Sequence, residues 1–297
     1  MRKKGVSTLK VAATYIGTVV GAGFATGQEV LQFFSRFSAM GLVGIVIATI
    51  MFVVFGYIIM DLGRKLHSHS HQEIIKYCSG SILGTLIDLL ITFFLFGSFT
   101  AMIAGTGAMF IQQFNLPVSI GNILMALMTA LTVMTGINGV INSISFVVPF
   151  LLVAVVSTGL LSIFNSPPII TSTVSYVSEN SLISNWLIAA LLYVSYNIIV
   201  SIAVLGPLGS ESKNSKSIRN GALLGGLGLG LGAIMIYLSL STNIDEFSIL
   251  EVPMIAVAGR ISPTIQTLYA LVLIAEIYTT SVGALYGFAS RIINIQK

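Results

Sequence analysis

Residues 15–30 read YIGTVVGAGFATGQEV, and the interpretation of the whole chain starts from this stretch. It lies inside the first long apolar run, yet it holds four glycines followed by Gln28 and Glu29. A glycine in a helix interior costs about 1 kcal/mol relative to alanine, and a carboxylate at membrane depth costs more. A helix that only crossed a membrane or filled a core would need neither the glycines nor the carboxylate. The stretch therefore predicts an irregular backbone conformation.

The composition indicates that the chain is embedded in a lipid bilayer. Hydrophobic residues make up 55% of the 297 residues and charged residues 8%, against about 25% charged in soluble domains. The net charge of +4 is too small and scattered for a nucleic-acid partner, and the single Cys78 excludes an intramolecular disulfide. The basic Arg2-Lys3-Lys4 precedes an apolar stretch too long for a cleavable signal, which predicts a first membrane helix.

Eight segments are long and apolar enough to span a bilayer, which takes about 20 residues. They cover approximately 8–35, 39–65, 82–113, 117–136, 139–163, 184–209, 218–241 and 264–291. The predicted fold is an all-α polytopic membrane helix bundle, a single integral membrane domain over 1–297.

Basic residues orient this bundle. With the N-terminus inside, twelve lie on the cytoplasmic face: Arg2, Lys3, Lys4, Lys10, Arg64, Lys65, Lys76, Lys213, Lys216, Arg219, Arg291 and Lys297. The outer face keeps Arg36 and Arg260. This excess of basic residues on one face predicts that both termini are cytoplasmic, and it agrees with eight membrane crossings. Two long connecting segments lie on the predicted outer face. Segment 164–183 is rich in Ser and Thr. The sequence of segment 242–263 predicts either a short helix at the extracellular mouth or an ordinary ordered loop.

The glycines predict a break in the first span. Gly21-Ala22-Gly23 lies about 13 residues into it, or roughly 20 Å along the axis, and irregular backbone in a membrane is tolerated where it lines a cavity. Thr26-Gly27-Gln28-Glu29 has the form of a capping box, in which Thr26 and Glu29 would cap a new helix. The alternative is close helix packing, because Gly17 and Gly21 have the GxxxG spacing.

GTVVGAGFATGQE, residues 17–29, resembles the first-helix signature of the amino acid–polyamine–organocation superfamily, which has the leucine-transporter fold. More closely, the chain resembles the YkvI-like bacterial membrane proteins of that superfamily. The resemblance implies inverted repeats, here about 8–163 and 184–291, with helices one and six both interrupted. The fold needs ten helices, so the second repeat is truncated after its third member. The chain is interpreted as either a shortened member or a fragment.

The resemblance also implies site residues. The second break is expected near Ser195–Asn197, with interhelical hydrogen bonding by Tyr196 and Asn197 as the alternative. The solute carboxylate would be bound by the amides of Gly21, Ala22 and Gly23. Selectivity would come from the third and sixth spans, where the candidates are Ser98, Phe99, Ser195, Tyr196 and Asn197.

A sodium site is implied between the first and eighth spans. Its ligands would be the carbonyls of Gly17 and Val20 and the hydroxyls of Thr279 and Thr280, although such hydroxyls also bond back within their own helix. Some sodium-independent relatives replace the ion with a lysine from the fifth helix; that span has no Lys or Arg here, which favours Na⁺ over H⁺.

Three acidic residues have roles that the sequence pattern does not decide. Glu276 could add charge to the cation site or carry a proton, and Glu29 could cap a helix or contact a substrate ammonium. Asp88 is interpreted as interfacial.

Two further signals are given structural interpretations. His67, His69 and His71 in HSHSH could bind a metal, but a solvated loop is favoured. GGLGLGLG, 225–232, lies inside an apolar span and predicts close helix packing or a flexible helix instead of a phosphate-binding loop.

The function predicted from these features is secondary active transport. The solute would be an amino acid or related amine-bearing compound, with Na⁺ as coupling ion and alternating access around unwound helices one and six. A non-transporting sensor on a transporter scaffold and a channel are the alternatives. No enzymatic motif is present. The expected partners are a small-molecule substrate and the lipid bilayer, with no cofactor beyond the possible Na⁺; the localisation is the cell membrane.

Overall fold

The computed structural model describes residues 5–170 and 183–292, and this part of the chain is nearly all helical. The helices, in chain order, are α1 Thr8–Val19, α2 Ala22–Ala25, α3 Gln28–Phe33, α4 Ala39–Leu66, α5 His71–Ser79, α6 Ser81–Phe114, α7 Val118–Met134, α8 Ile137–Asn165, α9 Trp186–Glu211, α10 Ser215–Leu240, α11 Ile244–Phe247, α12 Pro253–Ile261 and α13 Pro263–Ile292. Most of the outer segment 164–183, together with Arg2, Lys3, Lys4 and Lys297, lies outside the described residues.

Six of the described helices are long and apolar enough to cross a membrane: α4, α6, α8, α9, α10 and α13. The fourth predicted span is α7, which is apolar but has only 17 residues. The first predicted span is divided into α1, α2 and α3, so no single helix covers it. The all-α membrane bundle is therefore confirmed, while the count of eight crossings and the orientation of the termini stay predictions.

Two of the links contain helices of their own. The link between α4 and α6 forms α5, and the link between α10 and α13 forms α11 and α12. The prediction of a short helix within 242–263 is thus confirmed, and the ordered-loop alternative is wrong. The apolar residues Met254, Val257 and Ala258 of α12 are buried, because α12 packs onto the bundle and does not extend into solvent.

Helices α4 and α9 pack with their backbones in direct contact. A Cβ atom added to Gly63 of α4 would lie 2.1 Å from the carbonyl oxygen of Gly206, and one added to Gly209 of α9 would lie 2.0 Å from that of Met60. Only glycine permits this approach, which brings the second and sixth spans together near their C-terminal ends.

The glycine-rich stretch of α10 is a packing surface. A Cβ atom on Gly225 would lie 2.5 Å from the Tyr15 ring of α1, and one on Gly226 would lie 2.4 Å from Val53 Cγ2 of α4. Gly230 meets Thr49 of α4 in the same way. The predicted close helix packing is confirmed, and it places α1 against α10 in the interior of the bundle.

Candidate functional site

The first span is interrupted at the centre of the bundle. Helix α1 ends at Val19, and both Val20 and Gly21 are extended, with φ and ψ of −69° and 120° for Val20 and −113° and −177° for Gly21. After the single turn of α2, Gly27 takes a φ of +88° and the chain enters α3. The predicted break is confirmed, with its extended residues at 20–21 and a second joint at 26–27.

The break leaves main-chain groups without helical partners. Among the described residues, no hydrogen bond has the amide of Gly21, Ala22 or Gly23 as its donor. The carbonyls of Gly17 and Val20 accept no backbone hydrogen bond within the same part of the chain. Such groups are stable in a membrane protein only where protein, water or a ligand can reach them. The break therefore offers donors and acceptors side by side.

Helix α13 faces this break. A Cβ atom on Gly21 would lie 3.8 Å from both Oγ1 and Cγ2 of Thr280, so the Thr280 side chain is in contact range of the extended residues. Thr279 is fully buried. The hydroxyls of Thr279 and Thr280 donate to the Glu276 carbonyl over 2.9 and 3.0 Å, so the back-bonded arrangement is the one present.

The other predicted cation ligands lie nearby but differ in their surroundings. Gly17 packs against Val148 and Ile144 of α8, and Val20 is buried at the end of α1. Glu276 is fully buried, and neither of its carboxylate oxygens has a hydrogen-bond partner among the described residues. An intramembrane carboxylate with free oxygens is a functional candidate. Its ability to bind an ion stays a prediction.

Glu29 folds back over the break. A Cβ atom on Gly23 would lie 2.5 Å from Glu29 Oε1 and 2.9 Å from its Cγ, so the carboxylate rests directly on Gly23. The side chains of Tyr196 and Asn197 on α9 adjoin the same carboxylate. Glu29 Oε2 is buried without a hydrogen-bond partner in the described structure.

The capping-box prediction for Thr26 and Glu29 is wrong. The residue that precedes α3 is Gly27, and α3 has no side-chain cap. Thr26 Oγ1 donates to the Gly23 carbonyl at 3.0 Å, and the Gln28 amide reaches Thr26 Oγ1 only at 3.4 Å. Because the left-handed turn at Gly27 delays the start of α3 by a residue, Glu29 is not in register to reach the capping amide.

The predicted second break at Ser195–Asn197 is also wrong, because α9 continues through it from Trp186 to Glu211. Ser195 Oγ donates to the Leu191 carbonyl at 2.7 Å, and Asn197 Nδ2 donates to the Tyr193 carbonyl at 3.0 Å. These bonds to the preceding turn satisfy the polar side chains inside an intact helix. Ser195 is exposed on the outer face of α9, whereas Tyr196 and Asn197 adjoin Glu29.

Ser98 and Phe99 lie half-buried on α6. Phe99 packs against the apolar core, and neither residue hydrogen-bonds to the first span in the described structure. The structure thus gathers Gly21, Gly23, Tyr196, Asn197 and Glu29 at the break, and the role of the two α6 residues stays a prediction.

The sequence did not reveal how the joint between α2 and α3 is held. Tyr269 Oη of α13 donates to the Ala25 carbonyl at 2.7 Å, and the Met254 amide of α12 donates to the Thr26 carbonyl at 3.0 Å. Gln28 Nε2 donates to the Leu250 carbonyl at 2.5 Å. No motif marks these contacts, because each depends on a carbonyl that only the tertiary fold exposes.

Comparison with known proteins identifies the family. No family model matches the chain. The chain is 31% identical over 298 residues to the membrane protein YkvI of Bacillus subtilis, covering 98% of this chain and 83% of YkvI. It is also 31% identical over 277 residues to the B. subtilis protein YyaD, covering 93% of this chain and 79% of YyaD. The chain belongs to the YkvI family. It is a multi-pass membrane protein.

Solved structures show that this YkvI family member has a transporter fold. A manganese transporter of Eremococcus coleocola superposes with a TM-score of 0.62 at 15% identity, covering 98% of this chain and 69% of the transporter. Mhp1, a nucleobase-cation-symport-1 family transporter in a closed conformation, superposes with a TM-score of 0.58 at 14% identity, covering 97% and 67%. Over nearly its whole length the chain therefore shares its fold with these two transporters.

The fold shared with a manganese transporter does not carry a metal site with it in the part of the chain that the structure describes. Among the described residues, no group of three or more His, Cys, Asp or Glu side chains could hold a metal ion. The chemistry of the site therefore depends on the residues at the break.

A second polar cluster lies at the end of the bundle predicted to be cytoplasmic. His71 Nε2 of α5 is 3.1 Å from Asp88 Oδ1 of α6, and both side chains are fully buried. Arg291 Nε of α13 donates to Asp88 Oδ2 at 2.5 Å. Burial lowers the pKa of the His71 imidazole, against the opposing effect of Asp88. The solvated-loop interpretation holds for the exposed His67 and His69 but is wrong for His71. Asp88 is fully buried in the protein, and its interfacial depth in the membrane stays a prediction.

Proposed function

We propose that this YkvI family member is a secondary transporter of a small amine-bearing solute, such as an amino acid or a related compound, with Na⁺ as the coupling ion. The observation that carries the proposal is the broken first span, which presents unpaired amides and carbonyls to Thr280 of α13 in a fold shared with transporters. Irregular backbone at the middle of a bundle is how such carriers form solute and ion sites.

The proposed cation site lies between α1 and α13. The carbonyls of Gly17 and Val20 would approach the ion from α1, and Thr279 and Thr280 would do so from α13. Neutral oxygens suit a hard monovalent cation that has to be released again. Glu276 would add a negative charge to the site, since its buried oxygens lack partners among the described residues.

Alternating access would work around one flexible joint instead of two. Because α9 is continuous, we propose that α1 tilts at Val20–Gly21 while α2 and α3 stay attached to α12 and α13. The two inverted repeats, about 8–163 and 184–291, are retained as part of this proposal. A channel or a non-transporting sensor would have the same membrane fold, but a channel would give non-saturable flux and a sensor would give none.

Removal of the hydroxyls of α13 tests the cation site. We expect Thr279→Ala with Thr280→Ala to raise the Na⁺ concentration for half-maximal thermal stabilisation at least about tenfold, equivalent to about 1.4 kcal/mol. The matched control is Thr267→Ala, which removes an exposed hydroxyl that bonds back within the same helix. Melting temperatures would be measured in NaCl and in equal KCl, since a ligand that prefers the folded state raises them.

Flux measurements separate the function classes. Saturable amino acid or amine uptake into proteoliposomes that follows an imposed Na⁺ gradient supports the carrier. Non-saturable flux would indicate a channel, and stabilisation without flux would indicate a sensor. If Na⁺ and K⁺ stabilise the wild type equally, and Glu276→Gln abolishes a pH-driven flux, the coupling ion is H⁺ and the Na⁺ assignment is wrong.

A further inference from the structure

Glu29 is half-buried, with its Oε2 atom inaccessible. Its carboxylate has Tyr196 and Asn197 as hydrogen-bonding neighbours but lacks a countercharge. None of the ion pairs in residues 5–170 and 183–292 includes Glu29. Arg36, the nearest basic residue along the chain, donates to the Ile183 carbonyl at 2.9 Å and lies 5.0 Å from the centre of the Phe37 ring. A buried carboxylate is costly unless a cation, a proton or hydrogen bonds compensate it.

One neighbour of this carboxylate belongs to a cluster of aromatic rings. Tyr196 adjoins Glu29, and its ring centre lies 5.7 Å from that of Phe33 and 5.8 Å from that of Tyr193. Phe33 and Tyr193 are themselves 5.4 Å apart. Ring faces attract a desolvated cation by up to about 2 kcal/mol. A carboxylate next to Tyr196 and its aromatic neighbours is therefore chemically suited to an organic ammonium group.

The same geometry disfavours an anion. Glu29 Oε1 and Cγ lie in the space that a side chain on Gly23 would fill, next to the break at which a solute carboxylate would have to bind. A second carboxylate at this point would meet Glu29 at close range, and like charges repel strongly in a site of low dielectric.

We propose that Glu29, with the rings of Tyr196 and Phe33, binds the ammonium group of the solute, and that the site selects organic cations over zwitterions and anions. This inference rests on the proposed transport function and narrows its substrate class from amine-bearing solutes in general to amines without a carboxylate, which leaves zwitterionic amino acids as poor substrates. The solute amine would pair with Glu29 Oε2, which is left without a partner in the described structure. The amides of Gly21, Ala22 and Gly23 would then be shielded from a solute carboxylate by Glu29 itself.

A matched four-carbon series tests the charge selection. The probes are n-butylamine, 4-aminobutyrate, butyrate and n-butanol, which differ mainly in charge. We expect n-butylamine to raise the melting temperature of the wild type most, and Glu29→Gln to weaken its apparent affinity at least about tenfold. Glu251→Gln is the control, because it also removes one carboxylate but from an exposed position. Tyr196→Leu should weaken n-butylamine less than Glu29→Gln does.

The outcomes distinguish this inference from the transport function. If Glu29→Gln binds n-butylamine as the wild type does, if no probe binds, or if butyrate or 4-aminobutyrate binds more tightly, the ammonium site is wrong. Na⁺-dependent stabilisation and uptake are measured on the same proteins, and their survival in Glu29→Gln would leave the carrier intact. Glu29-dependent n-butylamine binding without Na⁺-driven flux would instead preserve the site and refute the transport function.

Discussion

At the residue scale, Gly23 is important because its missing side chain leaves room for the Glu29 carboxylate. Glu29 Oε1 would lie 2.5 Å from a Cβ at this position, so the glycine lets the carboxylate rest on the main chain of the break. The neighbour is the far end of a flexible side chain, which can move aside without moving the backbone. The glycine therefore positions a charge, and its replacement should affect binding more than folding.

Gly23→Ala should lower the affinity for n-butylamine while changing stability little. The added methyl group displaces the Glu29 carboxylate from Tyr196 and Asn197, and we expect at least about a tenfold loss of apparent affinity with less than about 1 kcal/mol of destabilisation. Thermal shift with and without n-butylamine measures both. Gly97→Ala is the control, because a Cβ there meets only open space. Unchanged affinity in Gly23→Ala would show that the position of Glu29 is irrelevant to binding.

At the element scale, the short helix α5 is tied to two long helices at one end of the bundle. Glu73 accepts hydrogen bonds from the amide and hydroxyl of Ser70, at 3.1 and 2.7 Å, and so starts the helix. His71 and Arg291 then meet on Asp88, which joins α5, α6 and α13. A buried charge group shared by three elements makes their ends move together, so it ties the position of α5 to that of α13.

Acid should weaken this junction. Burial holds the pKa of His71 below its ordinary value near 6.5, and Asp88, Arg291 and Glu73 are the charged groups that face it. Below that value the unfolded chain takes up a proton that the folded state resists, so the stability from the neutral imidazole is lost as pH falls. We expect the melting temperature to drop on going from above to below about pH 6.5, and to drop less in His71→Gln.

The control for this pH dependence is His69→Gln, which removes an exposed histidine two residues away. It should follow the wild-type pH profile. If His71→Gln and His69→Gln follow the same profile, the buried imidazole is not what senses acid.

At the scale of the whole molecule, the orientation in the membrane follows from charge and not from packing. The basic residues predicted to be cytoplasmic come from the ends of several helices, and the bundle itself would pack identically in either orientation. The orientation is therefore a property of insertion. It has to be measured on the protein in its membrane.

Labelling of Cys78 can measure the orientation in the membrane, because Cys78 is the only cysteine and is exposed on α5. We expect a membrane-impermeant maleimide to label it only after cells are permeabilised. The reverse result should hold for a Cys78→Ser variant that also carries Ser248→Cys, since Ser248 is exposed on the side predicted to be extracellular. Labelling of Cys78 in intact cells would invert the orientation or change the number of crossings.

The sequence predicted the elements well where a single physical cause acts locally. Long apolar runs predicted the six long helices, and the glycines at 17–27 predicted the break, because glycine at that density opposes a continuous helix. The prediction failed at Ser195–Asn197, since polar side chains can bond within an intact helix as readily as they can mark a broken one. It also failed at Thr26 and Glu29, where one left-handed residue changed the register of a motif.

The sequence by itself determined that this chain is a membrane protein. It also determined the positions of the long helices and the point at which the first span is interrupted, because hydropathy and glycine content act over neighbouring residues. The tertiary structure decided which groups meet at that break. Glu29, Tyr196 and Thr280 are far apart in the chain and carry no spacing that links them. They all lie near the break because helices α3, α9 and α13 pack around the same interruption, and no local sequence pattern encodes packing between distant segments.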